Sequence, residues 1–249
     1  MPEDRSILSR PGPAPDAQQS YGPHPDQVID WYLPARPSAV PVVVFIHGGY
    51  WRPEYDREHA RSAAGGLAAA GFATALIEYR RVPGQPDTMV RDVAEAIRMT
   101  AVGPEGSEPR PVIVVGHSAG GHLALVCAAD PALPIAGCLA LAPLASLDQA
   151  ESLHLDDNAV LDFLGVPAQQ RRDLDPCSLP RPTIPVVVVH GAEDAVVPME
   201  LSEAYCRHHA TELTPVPATG HFELIDPDSR AWALVVAEVT RVGDDINGP

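Results

Sequence analysis

A chain of 249 residues, 45% of them hydrophobic, is long enough to bury a substantial core, and one α/β domain of this length is common. The formal net charge of -16, from 33 acidic and 17 basic residues, disfavours binding to phosphate backbones and to anionic lipid headgroups. No apolar run is long enough to cross a bilayer, and the first residues lack the pattern of a secretory signal. We therefore expect a soluble, cytoplasmic protein whose partner is a small molecule and that binds neither nucleic acid nor membrane. Its oligomeric state is left open, with a homodimer as one alternative.

The Pro-rich stretch 1–25 shows no hydrophobic periodicity, and we predict an extended lead-in with no chemical role. Apolar runs of strand length follow at 27–33, 41–47, 73–78, 111–115, 135–142 and 186–190. Helical patterns lie between and after them, at 54–70, at 87–101, in a segment that ends at 129, and at 228–242. Strands that alternate with helices predict an α/β fold with a doubly wound, mostly parallel sheet.

The domain organisation follows from this alternation. We predict one domain over 26–249, in which the polar and helical segment 143–185 is a small cap insertion that covers the cleft and limits substrate size. Within the cap, Asp156 and Asp157 could meet a substrate amine, but a pair of charges is more often solvated surface.

A candidate nucleophile lies where the strand at 111–115 ends. The residues Gly-His-Ser-Ala-Gly at 116–120 match the motif G-x-S-x-G, between a strand and a helix as a nucleophile elbow requires. Glycines at both ends remove side chains that would clash, and the hydroxyl of Ser118 is left exposed near the positive end of the next helix. A chance match in a tight turn is the alternative. The flanking strand and helix favour Ser118 as a nucleophile.

The loop after the strand at 41–47 is a candidate oxyanion hole. Its residues His-Gly-Gly-Tyr-Trp at 47–51 include two glycines, which let backbone N–H groups point into the cleft. We predict that the N–H groups of Gly49, Tyr50 and Ala119 stabilise the developing oxyanion, with a plain tight turn as the alternative. His47 itself is interpreted as a buried structural histidine.

Two aromatic side chains of the same loop are candidate substrate contacts. Tyr50 and Trp51 could stack on an aromatic leaving group. For Trp51, a role as a core residue without substrate contact is the alternative.

A candidate acid and a candidate base follow later in the chain. Two carboxylates, Glu193 and Asp194, come after the strand at 186–190, and His221 lies in a glycine turn before the last helix. The order serine, acid, histidine along the chain is typical of one class of hydrolases that are built on a mostly parallel sheet. A neutral imidazole can take the proton of a serine hydroxyl, and a carboxylate on its other nitrogen stabilises the imidazolium. These residues predict a serine hydrolase that forms an acyl-enzyme.

The segments HGGYWR at 47–52, GHSAGGHLAL at 116–125, HGAEDAVVP at 190–198 and GHFELID at 220–226 carry a family resemblance. Through them the chain resembles the kynurenine formamidase (arylformamidase) branch of the α/β-hydrolases, and more broadly the small carboxylesterases. The resemblance covers roughly 20–245 and implies the α/β-hydrolase fold. It also implies that Ser118, Asp194 and His221 form the triad, with Glu193 as the fallback acid, and that N-formyl-L-kynurenine is hydrolysed to formate and kynurenine. The Pro-rich lead-in departs from the family's amino-terminal segment.

Two other functions remain open. One is a carboxylesterase that uses the same triad on short-chain or aryl esters, and the other is a non-catalytic protein that binds a small ligand in the cleft.

The remaining reactive side chains predict no cofactor. Four scattered cysteines, Cys127, Cys138, Cys177 and Cys206, lack ligand-like spacing and are interpreted as reduced. His208 and His209 lie in a polar helical segment and are predicted to be solvated. The histidine-rich signature of metal-dependent formamidases is not found, and we predict an enzyme without a metal or other cofactor.

Overall fold

The computed structural model describes residues 3–36, 41–102, 110 and 112–247. Within these ranges eight strands form one sheet. They are β1 (Ala17–Ser20), β2 (Val28–Tyr32), β3 (Val42–Ile46), β4 (Thr74–Ile77), β5 (Val112–His117), β6 (Ile135–Leu141), β7 (Val186–Gly191) and β8 (Glu212–Val216). The spatial order is β1-β2-β4-β3-β5-β6-β7-β8, and all pairs are parallel except β1 with β2 and β2 with β4. The predicted mostly parallel sheet is confirmed.

Helices cover both faces of this sheet. They are α1 (Arg61–Ala69), α2 (Pro86–Val102), α3 (Ala119–Ala128), α4 (Leu147–Ser152), α5 (Leu155–Leu164), α6 (Met199–His209) and α7 (Trp232–Asn247). Helices α2, α3 and α6 contribute to one buried apolar cluster, and α1 and α7 to the other. In β5, Val112 and Val114 belong to the first cluster while Ile113 and Val115 belong to the second. Successive side chains of a strand point to opposite faces, so an unbroken apolar strand is the pattern for a sheet covered on both sides.

The helix boundaries differ from the sequence prediction where local caps intervene. The helix expected at 54–70 begins as a 3-10 helix (Arg57–Ala60), because the side chain of Asp56 accepts a hydrogen bond from the backbone of Glu58, and continues as α1. The last helix begins at Trp232 rather than 228, and Ser229 Oγ accepts the Trp232 N–H in the turn before it. Pro111, in the strand expected at 111–115, lies outside the described residues.

The stretch 1–25 includes ordered structure that its composition does not indicate. Strand β1 pairs antiparallel with β2 at the edge of the sheet, and a 3-10 helix (Ser6–Ser9) buries Ile7 in the core. Arg10 binds the carboxylate of Asp226 through two nitrogens, at 2.7 and 2.9 Å. The segment is therefore fastened to the body of the domain at several points.

The segment 143–185 is helical, as expected. It consists of α4, α5 and three short 3-10 helices, and three residues at the start of α5, at 156–158, take left-handed backbone angles. In the described ranges of the chain, none of the helices has the length and apolarity needed to span a membrane.

Candidate active site

Ser118 lies at a sharp turn between β5 and α3. Its backbone angles, φ 57° and ψ -120°, are outside the regions that L-residues normally occupy, which is the strained geometry of a nucleophile elbow. A Cβ at Gly116 would lie 2.2 Å from the carbonyl oxygen of Gly120, and one at Gly120 would lie 2.1 Å from that of Ile46. Both positions therefore require glycine, which agrees with the packing that the motif predicts.

Asp194 and His221, which are 27 residues apart, meet where β7 and β8 end. Their side chains are buried, and His221 Nδ1 lies 2.7 Å from Asp194 Oδ2. The other oxygen, Asp194 Oδ1, accepts the backbone N–H groups of Val196 and Val197, both at 2.8 Å. Glu193 is exposed to solvent. Of the two candidate acids, Asp194 is the one that contacts the histidine.

His190 is a second histidine on the same carboxylate, and no role is predicted for it from the sequence. The ring is fully buried at the end of β7, with Nδ1 2.7 Å from Ser202 Oγ and Nε2 2.9 Å from the carbonyl oxygen of Val197. Because a carbonyl only accepts, Nε2 carries the proton, and it also lies 3.2 Å from Asp194 Oδ2. Its position four residues before Asp194 is the sequence signal that could have indicated this contact.

These contacts determine the charge of the acid. Burial raises the pKa of Asp194, but the hydrogen bonds from His190 and His221 and from the backbone outweigh burial, so the pKa lies well below its usual value. The carboxylate is therefore charged at neutral pH. Its folded-state pKa is depressed, so its contribution to stability is present above the unfolded value of about 3.9 and is lost as the pH falls towards the folded value.

A cavity of about 60 Å³ lies beside the elbow. It is lined by Arg5, Leu8, Gly49, Tyr50, Tyr55, His59, His117, Ser118, Asp156, Val196, His221 and Phe222. Ser118 and His221 thus share one cavity with two of the three residues predicted for the oxyanion hole. Arg5 and Leu8, from the stretch 1–25, also form part of the wall.

Three of the lining residues are histidines. Burial lowers the pKa of His59 to about 3, and burial together with the nearby His221 holds that of His117 well below the usual range. His117 Nε2 lies 3.1 Å from the carbonyl oxygen of His221 and so supports the loop of that residue. Of the three, His221 is the one whose ring contacts a carboxylate.

The loop after β3 packs directly against the elbow. A Cβ at Gly48 would lie 2.9 Å from that of Ser118, and Gly49, Tyr50 and Trp51 all have positive φ, at 111°, 49° and 58°. The hydroxyl of Tyr50 donates a hydrogen bond to the carbonyl oxygen of Val196 at 3.0 Å, which links this loop to the loop of Asp194. Ala119 begins α3, where backbone N–H groups have no acceptor within the helix.

Trp51 lies in the core and not in the cavity. It is 2% exposed, and its ring stacks on Phe163 with centroids 4.3 Å apart. The prediction that it contacts substrate is therefore corrected in favour of its alternative, because Phe163 of α5 covers the ring.

His47 is buried as predicted. Its Nε2 lies 2.9 Å from Glu78 Oε1 and its Nδ1 2.8 Å from the carbonyl oxygen of Gly48, and burial lowers its pKa to about 3. These two contacts hold the glycine loop in place.

One expectation for polar residues is modified. His209 is 3% exposed, and its Nε2 contacts the carbonyl oxygen of Pro176 at 2.9 Å, so the prediction of a solvated side chain is wrong there; His208 is exposed. Asp156 and Asp157 are both exposed, as expected for surface charges, and Asp156 also lines the cavity and binds Arg52 Nε at 2.7 Å.

Comparison with known proteins agrees with this architecture. The model of the BD-FAE family matches residues 29–167, more than half of the chain. Esterase LipC of Mycobacterium tuberculosis (strain ATCC 25618 / H37Rv) is 28% identical over 89% of this chain, which spans 64% of the length of LipC. Kynurenine formamidase of Salmo salar is also 28% identical, over 83% of this chain and 74% of that protein.

Solved structures show the same fold. Esterase B from Lactobacillus rhamnosis superposes with a TM-score of 0.77 at 21% identity, over 97% of this chain and 90% of esterase B. The chain therefore belongs to the BD-FAE family and has the α/β-hydrolase fold, like these esterases and formamidases.

Proposed function

We propose that the protein is a serine hydrolase that forms an acyl-enzyme on Ser118 and that its substrate is an aryl formamide such as N-formyl-L-kynurenine. The observation that carries the proposal is the buried hydrogen bond between Asp194 and His221 beside the cavity that holds Ser118. The similarity to a kynurenine formamidase and to esterases supports ester or amide hydrolysis in general.

The proton transfers follow from the hydrogen bond between Asp194 and His221. Asp194 fixes the proton of His221 on Nδ1, which leaves the lone pair of Nε2 to take the proton of Ser118. The serine oxygen then bonds to the formyl carbon, the C–N bond breaks, and the proton passes from His221 to the departing amine. Water repeats the sequence on the acyl-enzyme and releases formate.

The negative charge of the tetrahedral intermediate needs donors in a fixed position. The N–H of Ala119 and the glycine loop at 49–50 are the proposed donors, since this loop packs on the elbow and is held by the Tyr50 hydroxyl.

The cavity favours a small acyl group and an aromatic leaving group. Its volume of about 60 Å³ leaves space for a formyl group beside Ser118, and Tyr50, Tyr55 and Phe222 supply aromatic surface around it. We expect a higher kcat/KM on N-formylkynurenine than on p-nitrophenyl butyrate, measured with the same preparation. Negligible hydrolysis of the formamide together with rapid hydrolysis of the ester would leave the carboxylesterase alternative, which the similarity to LipC favours.

Arg5 is proposed to bind the carboxylate of the substrate. It is exposed at the cavity wall, its guanidinium lies 5.6 Å from the centroid of the Phe222 ring, and within the described residues no carboxylate is paired with it. Arg5→Gln should raise KM for N-formylkynurenine about two- to fivefold, as expected for an exposed ion pair, and leave KM for uncharged formanilide unchanged. Arg207→Gln, an exposed arginine on α6, is the matched control. An equal rise of KM on both substrates would contradict this role.

A further inference from the structure

We propose that Glu3 is a positioning residue that joins the loop of the acid to the loop of the histidine and so keeps His221 aligned with Asp194. The inference rests on the proposed function of these two residues. It assigns a role in catalysis to the amino-terminal segment, for which the sequence patterns indicate none.

One carboxylate of this segment contacts both loops. Glu3 Oε1 accepts hydrogen bonds from the backbone N–H of His221 and, at 3.4 Å, from that of Phe222. Glu3 Oε2 accepts the backbone N–H of Ala195 at 3.2 Å. Ala195 directly follows Asp194, so Glu3 bridges the backbones that carry the two members of the pair. Hydrogen bonds to a charged acceptor are about twice as strong as neutral ones.

The position of Glu3 is set by contacts on its own segment. Ile7 is 2% exposed and belongs to the core that also contains α1 and α7. Arg10 binds Asp226 through two nitrogens, and Asp226 lies five residues after His221. The segment is thus anchored on the same region that Glu3 contacts, which lowers the entropic cost of placing the carboxylate there.

The glycine that precedes His221 makes room for this carboxylate. A Cβ at Gly220 would lie 2.3 Å from Glu3 Oε1, and the N–H of Gly220 donates to the carboxylate of Glu223. Successive N–H groups of the turn, those of residues 220 and 221, are therefore held by two carboxylates. A turn held at consecutive amides has little freedom to move the imidazole.

Glu3 acts through other residues, because it is not one of the residues that line the cavity. Its removal should therefore lower kcat rather than weaken substrate binding. A displacement of about 1 Å in a reacting group can cost up to about a hundredfold in rate.

The test compares kcat and KM of three full-length variants with the wild type, on whichever formamide or ester the wild type hydrolyses. Glu3→Ala, which removes all three acceptor contacts, should lower kcat about 10- to 100-fold with KM changed less than about twofold. Glu3→Gln keeps one acceptor oxygen and should recover part of the loss. Asp4→Ala is the control, since the exposed Asp4 accepts the N–H of Ser6 in its own segment, and this variant should leave kcat unchanged.

A second measurement is the rate at which a fluorophosphonate labels Ser118, together with the melting temperature of each variant. We expect slower labelling of Glu3→Ala in proportion to its kcat. If the wild type is not labelled, the proposed function fails; if the wild type is labelled and Glu3→Ala is labelled equally fast, only the role of Glu3 fails. A rise in KM at unchanged kcat, or an equal loss in Asp4→Ala, would also overturn it.

Discussion

Ser118→Ala is expected to lower kcat about a million-fold, the loss seen when the nucleophile of a serine protease is removed. The methyl group of alanine cannot form the bond to the acyl carbon, and His221 then has no proton to take from that position. The fold should persist, because the side chain of Ser118 is small and the adjacent Gly116 and Gly120 keep the turn intact. Steady-state turnover and labelling by a fluorophosphonate are the two measurements.

The matched control is Ser152→Ala, in the exposed last turn of α4, where the hydroxyl donates only to the carbonyl oxygen of Gln149. This variant should retain full turnover and labelling. Equal labelling of the wild type and Ser118→Ala would contradict the assignment of the nucleophile. Absence of labelling and of turnover in the wild type would favour the non-catalytic binding protein.

Asp194→Asn is expected to lower kcat by about four orders of magnitude, as it does for the acid of a serine protease. The asparagine oxygen can still accept the N–H groups of Val196 and Val197, so its amide nitrogen would face His221. An N–H donor opposite Nδ1 requires Nδ1 to be the acceptor, and the ring proton then lies on Nε2. In that tautomer His221 cannot take the proton of Ser118.

The neighbouring Glu193 supplies the control for this experiment. Glu193→Gln removes one carboxylate from an exposed side chain one residue away and should leave kcat unchanged. If instead Glu193→Gln lost activity and Asp194→Asn kept it, the fallback acid would be the correct one. A circular-dichroism melt of both variants shows whether a loss of activity comes from unfolding or from the changed tautomer of His221.

The low pKa of Asp194 has a consequence for the pH dependence of the wild type. Since hydrogen bonds hold this pKa well below its usual value, the carboxylate stays charged throughout the range in which the folded protein is assayed. Protonation of this acid would therefore not account for a loss of activity in mild acid.

Some parts of the fold can be predicted because their sequence signal is local. The apolar runs that form β3, β5 and β7 are buried on both faces, and such a run has few alternatives to a central strand. The elbow at 116–120 is equally local, because its glycines are required by contacts within one turn and with the neighbouring strand end. The loop of Asp194 follows β7, a strand that the sequence predicts, at the carboxyl edge of the sheet.

Other features depend on contacts between residues that are distant in sequence, so local patterns do not predict them. Trp51 is a core residue because Phe163 stacks on it. The polar β1 and the proline-containing β8 are strands because they pair at the two edges of the sheet. The bridge from Glu3 to His221 spans 218 residues. The sequence of a Pro-rich segment does not show which backbone N–H groups its carboxylate will bind. Those N–H groups lie in turns that form only when the sheet is complete.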